Sequence, residues 1–210
     1  MITIAVAKGY LLTETLHLLT KNGYRFSDDV LTTRKLFVDD SSNKLRLLLV
    51  RPWDVPAYVE HGAADLGVVG KDILLEQTPN IATIMDLSFG SCSLVIAGPE
   101  TMNISDLTHN IIVASKFVNS ATHYFRSRGI KATIVKLYGA IELAPLTGLS
   151  DVICDLTATG RTLKENSLKI LDTVFTSTAH LIANPIGLKV HTKDIETLVQ
   201  TLSHNHSKNT

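Results

Sequence analysis

Short apolar runs alternate with segments of helical periodicity in the first third of the chain. The run Ile2–Ala7 alternates like a strand, and leucines then recur at helical spacing over residues 12–19. Two more strands are predicted at Leu45–Val50 and at residues 66–69, with a helix containing Pro56 between them. Strands that alternate with helices in this order are typical of parallel βαβ units. The sequence therefore predicts an α/β protein.

The same pattern restarts after Ser93 and predicts a second α/β lobe. Its predicted elements are strands at residues 94–97 and 111–114, a helix at 121–128, and strands at 133–136 and 152–154. One more strand at residues 177–183 and an amphipathic helix at 194–202 follow.

Composition excludes several classes of function. The 210 residues include 20 Lys or Arg and 20 Asp or Glu, so no basic surface for nucleic acid is predicted. There is no apolar run of membrane-spanning length and no charged leader before the first strand, so we expect a cytoplasmic protein without a membrane partner. Cys92 and Cys154 each lie among apolar residues, which predicts buried reduced thiols.

One segment is typical of a phosphate-binding loop. The sequence DLTATGRTL, residues 155–163, follows a short apolar strand, whose carboxyl end delivers Asp155 to the edge where open α/β sheets bind ligands. Its threonines supply hydroxyls, and Ala158 and Gly160 are too small to keep a phosphate from the backbone N–H groups. A helix beginning near Arg161 adds a positive dipole end.

The acid in this segment indicates what kind of phosphate ligand it takes. A carboxylate beside a phosphate is costly unless it accepts hydrogen bonds from hydroxyls, which favours a phosphorylated sugar. The segment is not a Walker loop, because Asp155 and Arg161 occupy the positions of that motif's first Gly and its Lys. A structural interpretation stays open, in which Asp155 caps the next helix and the Thr and Gly residues form a turn.

Four blocks of the sequence resemble the ATP phosphoribosyltransferase family in its short form. The longest are residues 51–76, RPWDVPAYVEHGAADLGVVGKDILLE, and residues 139–166, GAIELAPLTGLSDVICDLTATGRTLKEN. AVAKGYLL near the start resembles the family's opening strand and turn, and STAHLIANP at residues 177–185 resembles its return strand. The four blocks occur in the family's order and are spread from residue 5 to residue 185.

The resemblance implies a two-lobed fold like that of type II periplasmic binding proteins, with mainly parallel sheets and a cleft between the lobes. Because the family's chain returns to its first lobe, we expect residues 1–93 and 176–210 to form lobe one. Residues 94–175 are expected to form lobe two, which carries the phosphoribosyl-diphosphate loop.

The activity implied by the resemblance is the first step of histidine biosynthesis. ATP and 5-phosphoribosyl 1-diphosphate condense to 1-(5-phosphoribosyl)-ATP and diphosphate. We expect Mg²⁺ to be carried mainly by the substrate phosphates, so no protein metal site is predicted. The resemblance to the short form implies that we should expect no further regulatory domain, and the expected partner is a regulatory subunit that resembles histidyl-tRNA synthetase, in a hetero-oligomer.

The resemblance also implies roles for residues of the second lobe. Asp155 is expected to face the ribose, and Glu142 is a second candidate for a ribose or ring contact, with a surface salt bridge as its alternative. The residues expected to bind the sugar 5-phosphate are Thr157, Ala158, Thr159, Gly160, Arg161 and Thr162.

Three cations of the first lobe complete the expected site. Arg51 and Arg34 are candidates for the phosphates of ATP or the leaving diphosphate, because guanidinium groups present paired donors. Lys8 directly follows the first strand, where its ammonium group is expected to reach the diphosphate, and Gly9 is expected to let the backbone approach the same group. The alternative is that Lys8 is simply a solvated residue of a turn. Asp155, Arg51 and Glu142 are the catalytic candidates.

Two other interpretations stay open from the sequence. The same fold serves non-catalytic small-molecule-binding proteins, so a cytosolic binding protein is the main alternative. An inactive structural subunit of a larger assembly is the second. Tyr10 and Ser93 stand where the family commonly has Arg, which removes two phosphate contacts that the family pattern suggests.

Overall fold

A computed structural model describes residues 1–27, 29–108 and 110–206, the last three of these by their backbone alone. The chain divides into two compact units. The first comprises Met1–Leu74, Thr78–Gly90 and the chain from Thr178 onward. The second comprises Leu75–Gln77 and Ser91–Ser177.

The strands are numbered in chain order. They are β1 Ile2–Ala7, β2 Phe37–Asp39, β3 Leu45–Val50, β4 Leu66–Gly70, β5 Ala82–Asp86, β6 Cys92–Pro99, β7 Ile111–Ser115, β8 Ala132–Lys136, β9 Val152–Thr157, β10 Leu168–Ser177 and β11 Ala179–Ala183.

The helices are numbered in the same way. They are α1 Tyr10–Lys21, α2 Val55–Glu60, α3 Lys71–Gln77, α4 Val118–Ser127, α5 Leu143–Leu146, α6 Arg161–Glu165, α7 Pro185–Val190 and α8 Thr192–His206. None of the helices in the described part of the chain has the length and apolar character needed to cross a bilayer.

The sheet of the first unit has the strand order β2-β3-β1-β4-β11-β5. Strands β3, β1 and β4 are parallel, as the βαβ pattern predicts. Strand β2 is antiparallel to β3, and β11 is antiparallel to both β4 and β5. The carboxyl ends of β1 and β3 therefore lie at the same edge of the sheet.

Helices cover both faces of this first sheet because the side chains of β1 alternate between two cores. Ile4 and Val6 pack with Leu12 of α1 in one core. Ala5 packs with Val55 of α2 in the other.

The sheet of the second unit has the order β10-β6-β9-β7-β8. Strands β9, β7 and β8 are parallel, while β6 is antiparallel to both β9 and β10. One face of this sheet packs Val95, Ala114 and Ile153 against Ala144 of α5 and Leu163 of α6. The α/β class is as predicted, but both sheets are mixed rather than mainly parallel, because antiparallel strands flank each parallel core.

Candidate functional site

Asp155 lies inside a strand rather than after it. The sequence predicts that the strand ends at residue 154, whereas β9 continues to Thr157 because its last residues still pair with β6. Asp155 pairs with Val95 of that neighbour. Its side chain is half-buried, and Oδ1 accepts a hydrogen bond of 2.9 Å from the backbone N–H of Leu156.

The electrostatic environment of Asp155 is unusual for a carboxyl group. Its pKa is raised from the usual 3.8 to about 6, chiefly by burial and in addition by the negative charge of Glu142. The hydrogen bond from Leu156 and the positive charge of Lys116 act in the opposite direction. Asp155 is therefore mainly ionised at pH 7 and titrates just below neutrality, as functional carboxyl groups often do.

Glu142 immediately precedes α5, which packs on β9. Its side chain is half-buried and makes no capping hydrogen bond to the helix. Among the described residues Glu142 forms no salt bridge, so the alternative of a surface ion pair has no support there. The structure thus brings Glu142 and Asp155 into one electrostatic environment.

Two threonine hydroxyls stabilise the loop of residues 157–162 from within. The N–H of Gly160 donates to Oγ1 of Thr157 over 2.8 Å, and the N–H of Arg161 donates to Oγ1 of Thr159 over 3.4 Å. Gly160 has a φ of +71°, a left-handed conformation that favours glycine. In both bonds the hydroxyl oxygen is the acceptor, so each O–H group can still donate to a ligand.

Other backbone donors of the same loop remain available. The N–H groups of Ala158, Thr159 and Thr162 have no hydrogen-bond partner within the described ranges. Helix α6 begins at Arg161, as predicted, but has only five residues. The Arg161 guanidinium pairs with Glu165 over 2.8 Å, and both side chains are exposed, so this Arg is not held toward the loop.

Cations of the first unit lie at the carboxyl edge of its parallel strands. Lys8 and Arg51 follow the paired ends of β1 and β3, and both are exposed. The ammonium group of Lys8 donates to the carbonyl of Thr33, which brings the backbone of the adjacent Arg34 to this edge as well. Gly9 has a φ of +98°, and a Cβ at this position meets no atom within 4 Å, so its backbone conformation alone favours glycine.

Lys116 is a residue that the sequence reasoning missed. It follows β7, whose last residue pairs with the residue before Asp155. The apolar run at residues 111–114 could have pointed to Lys116, because it predicts a strand that ends just before this residue. Residues that come directly after neighbouring parallel strands lie together at one edge of the sheet. No group of three or more His, Cys, Asp or Glu side chains in the described ranges has a geometry that holds a metal ion.

Comparison with known proteins assigns the family. A family model described as ATP phosphoribosyltransferase matches residues 51–204. The chain belongs to the ATP phosphoribosyltransferase family. The ATP phosphoribosyltransferase of Caldanaerobacter subterraneus is 46% identical over 204 residues, which span 96% of each chain. The family member from Crocosphaera subtropica is 44% identical over 212 residues, covering 99% of this chain and 100% of that one.

Solved structures support the same assignment. The ATP phosphoribosyl transferase (HisG:HisZ) complex from Thermotoga maritima contains a chain of 34% identity with a TM-score of 0.83, covering 97% of this chain and 98% of that one. The periplasmic aliphatic sulphonate binding protein SsuA from Escherichia coli is 16% identical with a TM-score of 0.62, over 97% of this chain and 71% of that one. This second likeness concerns the fold alone and confirms the expected periplasmic-binding-protein class.

Proposed function

We propose that the chain catalyses the condensation of ATP with 5-phosphoribosyl 1-diphosphate, giving 1-(5-phosphoribosyl)-ATP and diphosphate in histidine biosynthesis. Family membership supports the reaction. The observation that carries the site is the half-buried carboxylate of Asp155 next to a loop with unpaired backbone N–H groups. A carboxylate that accepts from hydroxyls, beside amides that donate to phosphate, matches a phosphorylated pentose.

The reaction requires positioning and charge stabilisation from the protein. A ring nitrogen of adenine forms a bond to the anomeric carbon, and the bond from that carbon to the diphosphate oxygen breaks with its electron pair leaving on diphosphate. Asp155 accepts hydrogen bonds from the ribose hydroxyls, and Glu142 is placed for a second contact. The free N–H groups of Ala158, Thr159 and Thr162 bind the 5-phosphate. Fixed groups of this kind lower the barrier without reorganising during the reaction.

The loop hydroxyls have a structural role in addition to the phosphate contact that the sequence suggests. Thr157 and Thr159 accept hydrogen bonds from the loop itself, so in the proposal they hold its shape while the main chain contacts the phosphate. Gly160 keeps the loop in its left-handed turn. Arg161, whose guanidinium pairs with Glu165, reaches phosphate only by leaving that exposed ion pair, which costs at most about 0.5 kcal/mol.

The cations of the first unit have the charge that polyphosphate substrates need. In the proposal Arg51 and Arg34 bind the phosphates of ATP or the leaving diphosphate, and Lys8 contributes an ammonium group next to Gly9. Mg²⁺ is the expected cofactor, bound mainly by the substrate phosphates, where it reduces the repulsion between two polyanions.

We further propose a regulatory partner and a cytoplasmic location. The relative from Thermotoga maritima was solved as a HisG:HisZ complex. By this likeness the chain assembles with a regulatory subunit that resembles histidyl-tRNA synthetase.

A pair of variants tests the proposed site. Asp155→Ala removes the carboxylate that faces the sugar, and we expect it to lower kcat/KM by about 100-fold, the size of effect that misplacing a substrate produces. Asp151→Ala is the matched control, because Asp151 is exposed and its Oδ2 accepts a hydrogen bond of 2.7 Å from the backbone N–H of Ile112. The assay follows the ultraviolet absorbance of the product with ATP, phosphoribosyl diphosphate and Mg²⁺, with and without the partner subunit.

The assay also separates the alternatives. Equal activity of the two variants contradicts the site. If the wild-type chain forms no product with or without the partner, the transferase reaction is excluded. Calorimetry then distinguishes the two alternatives: binding of phosphoribosyl diphosphate favours a binding protein, and no binding favours a structural subunit.

A further inference from the structure

Lys116 lies next to Asp155 by the register of the second sheet. Strands β7 and β9 are parallel, and Ser115 pairs with Cys154. The next residues are Asp155, which is still within β9, and Lys116, which is the first residue after β7. Because side chains alternate along a strand, Asp155 lies on the same face of the sheet as Ile153, which pairs with Ala114 of β7.

The backbone around Lys116 is fixed by a buried serine. The hydroxyl of Ser115 donates to the carbonyl of Cys154 over 2.6 Å and accepts from the N–H of Phe117 over 2.8 Å. Both Ser115 and Phe117 are buried, while Lys116 between them is half-buried. Lys116 therefore lies between two anchored residues, and a serine links its strand to β9 immediately before Asp155.

Opposite charges surround the carboxylate of Asp155. The negative charge of Glu142, which immediately precedes α5, raises the pKa of Asp155. The positive charge of Lys116, which follows β7, lowers it. On the other side β6 contributes Val95, which has no charge. In a half-buried site with two carboxylates, a neighbouring ammonium group offsets both the repulsion and the loss of water.

We propose that Lys116 is a positioning residue for the transferase reaction: placed beside Asp155 by the pairing of Ser115 with Cys154, it has an ammonium group that keeps that carboxylate charged and aimed at the substrate ribose. This inference rests on the proposed function. Lys116 acts through Asp155, so its loss matters most at the pH values where Asp155 would otherwise take up a proton.

The first test is the pH profile of kcat/KM for phosphoribosyl diphosphate between pH 5 and 9. Wild type should lose activity on the acid side near pH 6, where Asp155 becomes protonated. In Lys116→Gln we expect this acid limb to move up by about one pH unit, which costs roughly twofold at pH 7 and almost nothing at pH 9. Lys116→Arg keeps the charge and should retain the wild-type limb.

A matched control removes the same charge from the neighbouring strand. Lys136 ends β8, pairs with Ser115 on the side of β7 away from β9, and is exposed. Lys136→Gln should leave the acid limb in place. An equal loss of rate at every pH in Lys116→Gln, with the limb unmoved, overturns the inference, because a phosphate contact or a structural role would act in that way.

A second test does not depend on activity. The ¹³C carboxyl resonance of Asp155, assigned by its absence in Asp155→Asn, is titrated by NMR in the full-length protein without substrate. Its midpoint should rise in Lys116→Gln and stay in place in Lys136→Gln, and an unchanged midpoint in Lys116→Gln overturns the inference. If wild type forms no product at any pH, the proposed function fails, while this titration still decides whether Lys116 keeps Asp155 charged.

Discussion

The raised pKa of Asp155 predicts a pH-dependent cost to folding. A carboxyl group whose pKa is higher in the folded than in the unfolded chain stabilises the fold while it is protonated, and this contribution is lost as the pH rises from about 4 through about 6. A rise from 3.8 to about 6 corresponds to about 3 kcal/mol at 1.36 kcal/mol per pKa unit. Asp155→Asn cannot ionise, and its Oδ1 can still accept from the N–H of Leu156.

Asp155→Asn should therefore stabilise the protein in alkaline buffer while it impairs catalysis. Relative to wild type, the gain in the free energy of unfolding should be about 3 kcal/mol at pH 8 and only about 1 kcal/mol at pH 4.5. Urea unfolding followed by circular dichroism measures both values, and a 3 kcal/mol gain shifts the midpoint by about 1 M or more. Tryptophan fluorescence is unsuitable, because the only Trp, Trp53, lies in the other unit.

The control for this prediction is Asp151→Asn, which removes a negative charge from an exposed position of the same unit. Its effect on the midpoint should be small and similar at pH 8 and pH 4.5. If Asp155→Asn changes stability by the same amount at both pH values, or destabilises the protein at pH 8, burial does not hold the carboxyl of Asp155 in an unfavourable ionised state and the reasoning is refuted.

Two further variants test the loop and the anchor of α4. Gly160→Ala puts a side chain on a residue in the left-handed conformation, which should lower the free energy of unfolding in urea by about 1 kcal/mol and raise the KM for phosphoribosyl diphosphate. Gly148→Ala, at a φ of +72°, is the control and should lower the free energy of unfolding by the same amount without changing KM. Equal KM values in the two variants contradict the role of the loop. Glu76→Ala should lower the free energy of unfolding by about 3 kcal/mol, because the buried carboxylate accepts hydrogen bonds from the N–H groups of Asn119 and Ser120 at the start of α4. Glu76→Gln keeps an acceptor and should lose less. A loss below about 0.5 kcal/mol in Glu76→Ala, or an equal loss in both variants, contradicts this role of Glu76.

The strands that the sequence predicts best are those whose neighbours bury both faces. Ile2–Ala7 and Leu45–Val50 have the predicted bounds, because both lie in the interior of the first sheet and consist mostly of buried apolar residues. The strand predicted at residues 152–154 was too short, because Asp155 and Thr157 are polar yet still pair with β6. The end of β9 is thus determined by its pairing with β6, which is distant in sequence and is not contained in the local pattern.

Strand β10 shows why other elements escaped prediction. Leu168–Ser177 pairs with β6 along its whole length, but the register shifts between Ile170 and Asp172 and again between Thr173 and Phe175. Each irregularity changes which residues face the core, so the alternation with period two is lost. The edge strand β5 was not predicted for a different reason. Its residues are half-buried or exposed, so apolar and polar positions do not alternate clearly along it.

The sequence indicates the loop after β9 as a candidate site, but it does not contain the hydrogen bonds within that loop. Small residues and an acid after an apolar strand identified the loop, and the structure places Glu142 near Asp155. Which hydroxyls the loop uses internally depends on the turn geometry around Gly160, which the sequence does not specify. The sequence pattern does not single out Lys116, because its place beside Asp155 depends on the register between β7 and β9, whose paired residues are 39 positions apart.

The place of β11 in the first sheet has a consequence for synthesis on the ribosome. Among the described residues, strand β5 joins that sheet through β11, which is synthesised after the entire second unit. When residues 1–90 have emerged, β5 has no partner to complete its hydrogen bonds, whereas the second unit can assemble around a nearly continuous stretch of chain. The nascent amino-terminal half should therefore remain sensitive to proteases until the last strand is inserted, and its exposed strand edge is a natural substrate for chaperones during translation.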